Sequence, residues 1–175
     1  MTTPEVAESQ PDAPAFRTAA QMVASQVQRR PEALALSWLD AARAVQCLNF
    51  KEIWEHALGV AYLIRAATEE AALRPMCAEA AQLPIPVLAV AIDDGPYLPI
   101  AELAGFLAGC CLTPIDPHDP QVRIAGVLEE IPTLGAVVCK DWGDCKKLTE
   151  AVALLPADLG FQVPIFDLSI ECALL

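Results

Sequence analysis

Six apolar residues stand in a row at positions 87–92, and the turn Asp93-Asp94-Gly95 follows them directly. A run of that length without polar alternation suits a β-strand buried on both faces, which is the usual state of a strand in a parallel sheet. This constrains everything downstream, because a parallel neighbour can be reached only through a crossover, usually a helix. The sequence supplies such crossovers in turn. Residues 99–108 read as a helix with Gly109 as its left-handed C-terminal cap, and 111–115 as the next strand. Asp119-Pro120 reads as an N-cap with proline at the first helical position, opening a helix whose buried side is Ile124, Val127, Leu128 and Ile131. Residues 136–139 form a third strand, 144–155 a third helix with Leu148, Val152 and Leu155 inward, and 163–168 a fourth strand. The expected class is α/β, a mostly parallel sheet with helices on both faces.

A short helix and a hairpin precede this unit. Residues 1–15 are Pro, Glu, Ser, Thr and Ala without apolar period and read as a disordered tail. Phe16, Ala20, Val23 and Val27 recur at helical spacing, and Pro31 ends that helix. Residues 33–38 and 45–48 read as two strands around the polar turn 40–43. Asn49 and Glu52 then form a capping box, the Asn side chain accepting from the Glu52 amide while Glu52 reaches back to the amide of Asn49. The helix they open carries Ile53, Ala57, Val60, Ala61 and Ile64 on one stripe. The Ala/Glu-rich stretch 68–84 holds Pro75 and reads as a broken helix or an insertion.

Composition excludes several functions. The 23 Asp+Glu against 11 Lys+Arg leave a net charge of −12, so no nucleic-acid partner and no anionic membrane surface is expected. The chain is 55% apolar, yet no run free of charge reaches the ~18 residues of a membrane span. The start shows no secretory address. Seven cysteines without that address read as reduced thiols of a cytoplasmic protein. None of them forms a CxxC pair. Cys110-Cys111 are adjacent, and Cys139 and Cys145 lie close in sequence. No metal site is expected from this pattern, and a thiol-redox role finds no low-pKa CxxC context.

No strand is followed by GxGxxG or GxxxxGK[ST], so no phosphate cradle of those kinds is present. Gly105 and Gly109 read instead as points where a helix approaches its sheet. Asp93 and Asp94, at the C-terminal end of the buried strand, occupy the rim where open α/β sheets bind ligands; they are also ordinary turn formers. His118, beside Asp119, reads as a solvated loop residue, and His56 as a surface one. No serine lies near a base, so no nucleophile triad is expected.

Two segments resemble the N-terminal lobe of the adenylate-forming (AMP-binding) superfamily, closest to the adenylation domains of nonribosomal peptide synthetases and to acyl-CoA synthetases. Leu48-Asn49-Phe50-Lys51-Glu52-Ile53 is similar to the early L-[TS]-Y-x-E-L motif, and residues 107–117, LAGCCLTPIDP, to the motif L-K-A-G-x-A-Y-[VL]-P-[LI]-D-P. Residues 16–175 then read as a partial N-terminal lobe, with 68–84 inserted. The matching residues Leu48, Asn49, Phe50, Glu52, Gly109, Pro114, Asp116 and Pro117 are architectural. The resemblance implies a ligase that forms an acyl-adenylate and passes it to a thiol, with ATP and Mg as cofactors. It places the phosphate loop and catalytic lysine beyond Leu175, so no catalytic residue, bound cofactor or metal is assigned within this chain. The implied partner is the C-terminal part of such an enzyme, and the segment alone is expected to be inactive. The alternative is a catalytically silent binding or scaffold module built on the same fold.

Overall fold

The computed structural model of the chain describes residues 18–71, 85–131, 133–156 and 163–171. The tail 1–15 and most of the stretch 68–84 lie outside these residues. The elements in chain order are α1 (Ala19–Arg29), β1 (Leu34–Leu39), β2 (Val45–Asn49), α2 (Phe50–Ala71), β3 (Val87–Ala91), α3 (Tyr97–Ala108), β4 (Cys111–Pro114), α4 (Gln121–Glu129), β5 (Leu134–Cys139), α5 (Trp142–Val152), β6 (Ile165–Asp167) and α6 (Leu168–Glu171).

β1 and β2 pair antiparallel, with Leu36 opposite Leu48 and Leu39 opposite Val45. The turn between them is organised by Asp40. Its carboxylate accepts from the amides of Ala42 and Ala44, both at 2.9 Å, and from the Gln46 side chain at 2.8 Å. Arg43 takes φ 61° there. The capping box predicted at the start of α2 is present: the Glu52 amide donates to Asn49 Oδ1 at 2.9 Å and the Asn49 amide to Glu52 at 2.8 Å. A second box, unread in the sequence, opens α1 through Thr18 and Gln21.

Among the described residues the second sheet has four strands, ordered β4-β3-β5-β6 and parallel throughout. Its period-2 alternation sorts the strand residues between two cores. Leu88, Val90, Ala136 and Val138 face α2 and α3 with Ile64 and Ile100. Ala89, Ala91, Val137 and Cys139 face α4 and α5 with Ile124, Leu128 and Leu148. β3 and β5 are thus covered on both faces, and all six residues of β5 are buried, the environment that an uninterrupted apolar strand requires. Two glycines set the spacing of helix on sheet. A Cβ on Gly135 would lie 2.5 Å from Thr68 Cγ2 of α2, and one on Gly105 2.4 Å from Leu112 Cδ2.

Several boundaries differ from expectation. α2 runs on through residues 68–71, into the stretch read as an insertion. α4 has no side-chain cap: Pro120 itself occupies the cap position with ψ 143°, and Asp119 pairs instead with Arg123, Oδ2 to Nε, at 3.0 Å. Val127 is partly exposed rather than buried, because this short helix turns only Ile124, Ala125 and Leu128 inward. α5 starts at Trp142, capped by Asp141 rather than opened at Asp144. The last strand ends at Asp167, where the Asp167 carboxylate accepts from the Ser169 amide and hydroxyl and turns Leu168 into a helix. Gly109 caps α3 as predicted, with φ 79°. No helix among the described residues is long and apolar enough to cross a membrane.

Candidate functional site

The chain leaves β3 into α3 on one face of the sheet and leaves β5 into α5 on the other. Adjacent parallel strands whose connections diverge in this way open a crevice beyond their carboxyl ends, the place where open α/β sheets take ligands. The register sets what lines it. Ala91 pairs with Cys139, so the residues just past the two strand ends, Asp93 and Lys140, come together. Lys140 Nζ lies 3.9 Å from Asp93 Oδ1, and both side chains are more than a third exposed. Asp93 also accepts from the Asp94 amide at 2.8 Å. That hydrogen bond, with help from Lys140, holds its carboxyl below the usual range against the opposing effect of desolvation. Asp93 is therefore both a turn former and a member of the rim, whereas the Asp94 side chain is exposed.

Asp141 and Asp144 come from the start of α5. The Asp141 side chain caps the helix through the amides of Gly143 at 2.8 Å and Asp144 at 3.3 Å. Partial burial, then repulsion from Asp141 and Asp93, pushes the Asp144 carboxyl up, with Lys140 and His118 opposing. The loop after β4 completes the rim. The His118 amide donates to Asp116 Oδ1 at 2.8 Å, and the imidazole Nδ1 stands 3.2 Å from the same oxygen. These contacts, the amide first, hold the Asp116 carboxyl down. Lys147 of α5 donates to the carbonyl of Pro117. At the end of β6, opposite Cys139, Asp167 is buried, and its Oδ2 has no hydrogen-bond partner.

The motif residues stand where architecture needs them. Leu48 packs on the core beside Leu36, and the Arg30 guanidinium lies 5.2 Å from the centre of the Phe50 ring. Asn49 also donates to Glu32 at 3.1 Å. Pro114 ends the edge strand β4, where a missing N–H costs no ladder bond, and Pro117 is buried. His118 is solvated, as predicted. His56 is not a simple surface residue: it is half-buried, and its Nδ1 is shielded from solvent without a hydrogen-bond partner.

Chemically the rim is a row of carboxylates, Asp93, Asp94, Asp116, Asp141 and Asp144, answered by Lys140 and Lys147. At the end of β6 the Ser169 hydroxyl donates to Asp167 Oδ1 at 2.6 Å. Among the described residues no three His, Cys, Asp or Glu side chains are placed to hold a metal ion. Gly95, φ 101°, is the glycine between β3 and α3, and Asp93 and Asp94 precede it. Two carboxylates beside that turn repel a phosphate, so these residues do not fit a nucleotide phosphate.

No family model matches the chain, and no curated protein matches it. Solved structures do. The Klebsiella oxytoca NpsA N-terminal subdomain, solved with 3-hydroxyanthranilyl-AMSN, superposes over 89% of this chain at a TM-score of 0.54 and 17% identity. The fold is that of the N-terminal subdomain of adenylate-forming enzymes. The fatty acid AMP ligase from Legionella pneumophila covers 86% of the chain, with TM-score 0.57 and 18% identity. The nonribosomal peptide synthetase FmoA3, in its α-methyl-L-serine-AMP bound form, covers 87%, with TM-score 0.61 and 21% identity. The chain spans 32%, 23% and 14% of the lengths of these three proteins, in their N-terminal portions. The two motif segments resembling this superfamily fall on the β2–α2 junction and on the α3–β4 connection of the adenylation-type fold.

Proposed function

We propose that this chain is the leading portion of an ATP-dependent ligase that activates a carboxylic or amino acid as its adenylate and transfers it to a thiol. The observation that carries the reading is the overlay of nearly the whole chain on the N-terminal subdomain of such enzymes. In this role the segment supplies architecture. It builds half of a crevice, and the nucleotide, Mg and the acid are held by the remainder of the enzyme. Two features support that division: the carboxylate-lined rim does not fit a phosphate, and the hairpin leaves Leu34, Leu39 and Val45 each more than half exposed, an apolar face that a covering partner would bury. A cytoplasmic setting agrees with the free thiols Cys47, Cys110, Cys111, Cys139 and Cys145.

The same absence of fit for phosphate among the described residues favours a second reading, a binding or scaffold module on this fold. One experiment separates the two. Acid-dependent ATP–pyrophosphate exchange is measured for the chain alone and with the C-terminal portion of an adenylating enzyme. The ligase reading expects exchange no greater than a boiled control alone and activity in the reconstituted pair. Exchange by the chain alone overturns the division of labour, and silence in a stably associated pair favours the module.

A further inference from the structure

Asp94 and Gly95 form the single Asp-Gly pair of the sequence, and they stand in the turn that carries the chain from β3 across the crevice rim to α3. The other aspartates are followed by Ala, Asp, Pro, Trp, Cys or Leu, and the single asparagine, Asn49, by Phe50. Gly95 takes φ 101°, a conformation that residues with a Cβ rarely adopt, and an added Cβ would meet nothing within 4 Å. Asp93, Asp94 and Gly95 are all exposed. The Asp94 amide is held by Asp93 Oδ1 at 2.8 Å, and there the constraint ends. The Gly95 amide lies outside every described helix and strand, and among the described residues nothing accepts its proton. The Asp94 carboxyl likewise takes no hydrogen bond or ion pair among them. An uncommitted carboxyl is therefore followed by an uncommitted backbone nitrogen, with no side chain on the second residue to keep them apart.

We propose that Asp94-Gly95 is a modification site: Asp94 closes on the Gly95 nitrogen to a succinimide and reopens as isoaspartate, which makes this turn a substrate for an S-adenosylmethionine-dependent isoaspartate carboxyl methyltransferase. In the closing step the Gly95 amide nitrogen attacks Cγ of the protonated Asp94 carboxyl. The N–Cγ bond forms, the C–OH bond breaks, and the hydroxyl leaves as water with the amide proton. Water then adds to one of the two imide carbonyls. Opening at Cγ restores aspartate. Opening at the backbone carbonyl leaves the chain running through Cβ and Cγ, with the free carboxylate on Cα. One water is lost and one regained, and nothing is oxidised or reduced. The methyltransferase then moves a methyl group from the sulfonium to a carboxylate oxygen and releases S-adenosylhomocysteine. The product lengthens the backbone between β3 and α3 by one methylene, beside the pair of Lys140 and Asp93. It also draws the carboxylate of residue 94 back toward the main chain, so the isomerised chain presents a differently shaped rim. Nothing in these steps uses ATP, an acid substrate or a partner chain, so their failure leaves the ligase reading untouched.

The test ages the whole chain in a mildly acidic buffer in which circular dichroism shows it folded, since only the protonated carboxyl releases water. The probe is an isoaspartate methyltransferase with tritiated S-adenosylmethionine. Methyl acceptance is expected to rise with time, with a species lighter by one water appearing in the intact mass. Trypsin spares the Arg74–Pro75 bond and gives peptide 66–123, in which electron-transfer fragmentation should place the β-linkage at residue 94. Asp94→Glu, which would have to close a larger and slower ring, should abolish methyl acceptance, and Asp119→Glu should leave it intact. No methyl acceptance, isoaspartate at another residue in place of 94, or acceptance that survives Asp94→Glu each overturns the proposal. Should Asp94→Glu fail to fold, the fragment map of the unsubstituted chain decides.

Discussion

Gly135 should be the least replaceable small residue of the sheet, and the reason is steric. Alanine in a strand interior ordinarily gains about 0.5–1 kcal/mol over glycine through the unfolded chain. At Gly135 the new Cβ would sit 2.5 Å from Thr68 Cγ2 and 3.4 Å from Pro86 Cβ. The first distance is shorter than real Cβ contacts. Thr68 cannot yield by swinging its side chain, because it is buried and its hydroxyl donates to the Arg65 carbonyl at 3.1 Å. Either that bond breaks or α2 lifts from β5. An overpacked core costs about 1–3 kcal/mol, so the intrinsic gain is outweighed and Gly135→Ala should destabilise by about 1–2 kcal/mol. Thr68→Ser removes the offending methyl and keeps the hydroxyl. In that background Gly135→Ala should be neutral or stabilising, so a double-mutant cycle by urea denaturation should give a favourable coupling of about 1 kcal/mol or more. Equal costs of Gly135→Ala with Thr68 and with Ser at that position would refute the close approach of α2 to β5.

Further substitutions test the caps and the rim. Asn49→Ala should cost about 1 kcal/mol in denaturant melts by removing the α2 cap, whereas His118→Ala, solvated beside Asp116, should stay within about 0.5 kcal/mol; the reverse order would return His118 to the candidate site. The hydrogen bonds from Gln46, then from the amide of Ala44, lower the pKa of Asp40. A carboxyl lowered on folding stabilises above its ordinary range, and that contribution is lost as pH falls through the lowered value. Asp40→Asn should therefore flatten the acid limb of a stability–pH curve, and an unchanged limb would contradict the turn assignment. Asp144 has the opposite sign, since its carboxyl is pushed up by burial, then by Asp141 and Asp93. Asp144→Asn should stabilise the chain at neutral pH and lose that advantage in acid; a loss at neutral pH would mean that the α5 terminus, not carboxylate repulsion, governs this position. The chain alone should bind a hydrophobic dye or self-associate through its exposed hairpin face, and become monodisperse with the C-terminal portion of an adenylating enzyme. A dye-silent monomer by light scattering would count against a missing partner.

What was legible in the sequence were features decided by neighbours along the chain. The Asn49–Glu52 box, the Gly109 cap and the strand at 87–91 each rest on residues a few positions apart, and each stands in the structure. Local signals failed where two side chains competed for one task. Asp119-Pro120 has the pattern of a cap, yet Asp119 is drawn to Arg123 one turn along. Asp141 and Asp144 both suit the start of α5, and Asp141 takes the amides because the chain is still extended there, at φ −154°. In the run 163–168, Asp167 bonds to Ser169 and ends the strand early. A side-chain acceptor competing with the ladder is the ordinary means by which Asp breaks a strand.

The crevice was legible only by half, and for a different reason. That the chain alternates strand and helix follows from its apolar periods, but the order β4-β3-β5-β6 does not, because each crossover leaves open on which side of its predecessor the next strand lies. The functional geometry depends on that choice. Had β5 been laid beyond β4, Asp93 would face no lysine. With β5 beside β3, Lys140 reaches Asp93. Asp93 could be marked as a rim residue from its place after a buried strand. Lys140 could be recognised as its partner only once the sheet was ordered, since a contact between two strand ends belongs to the topology and not to either segment.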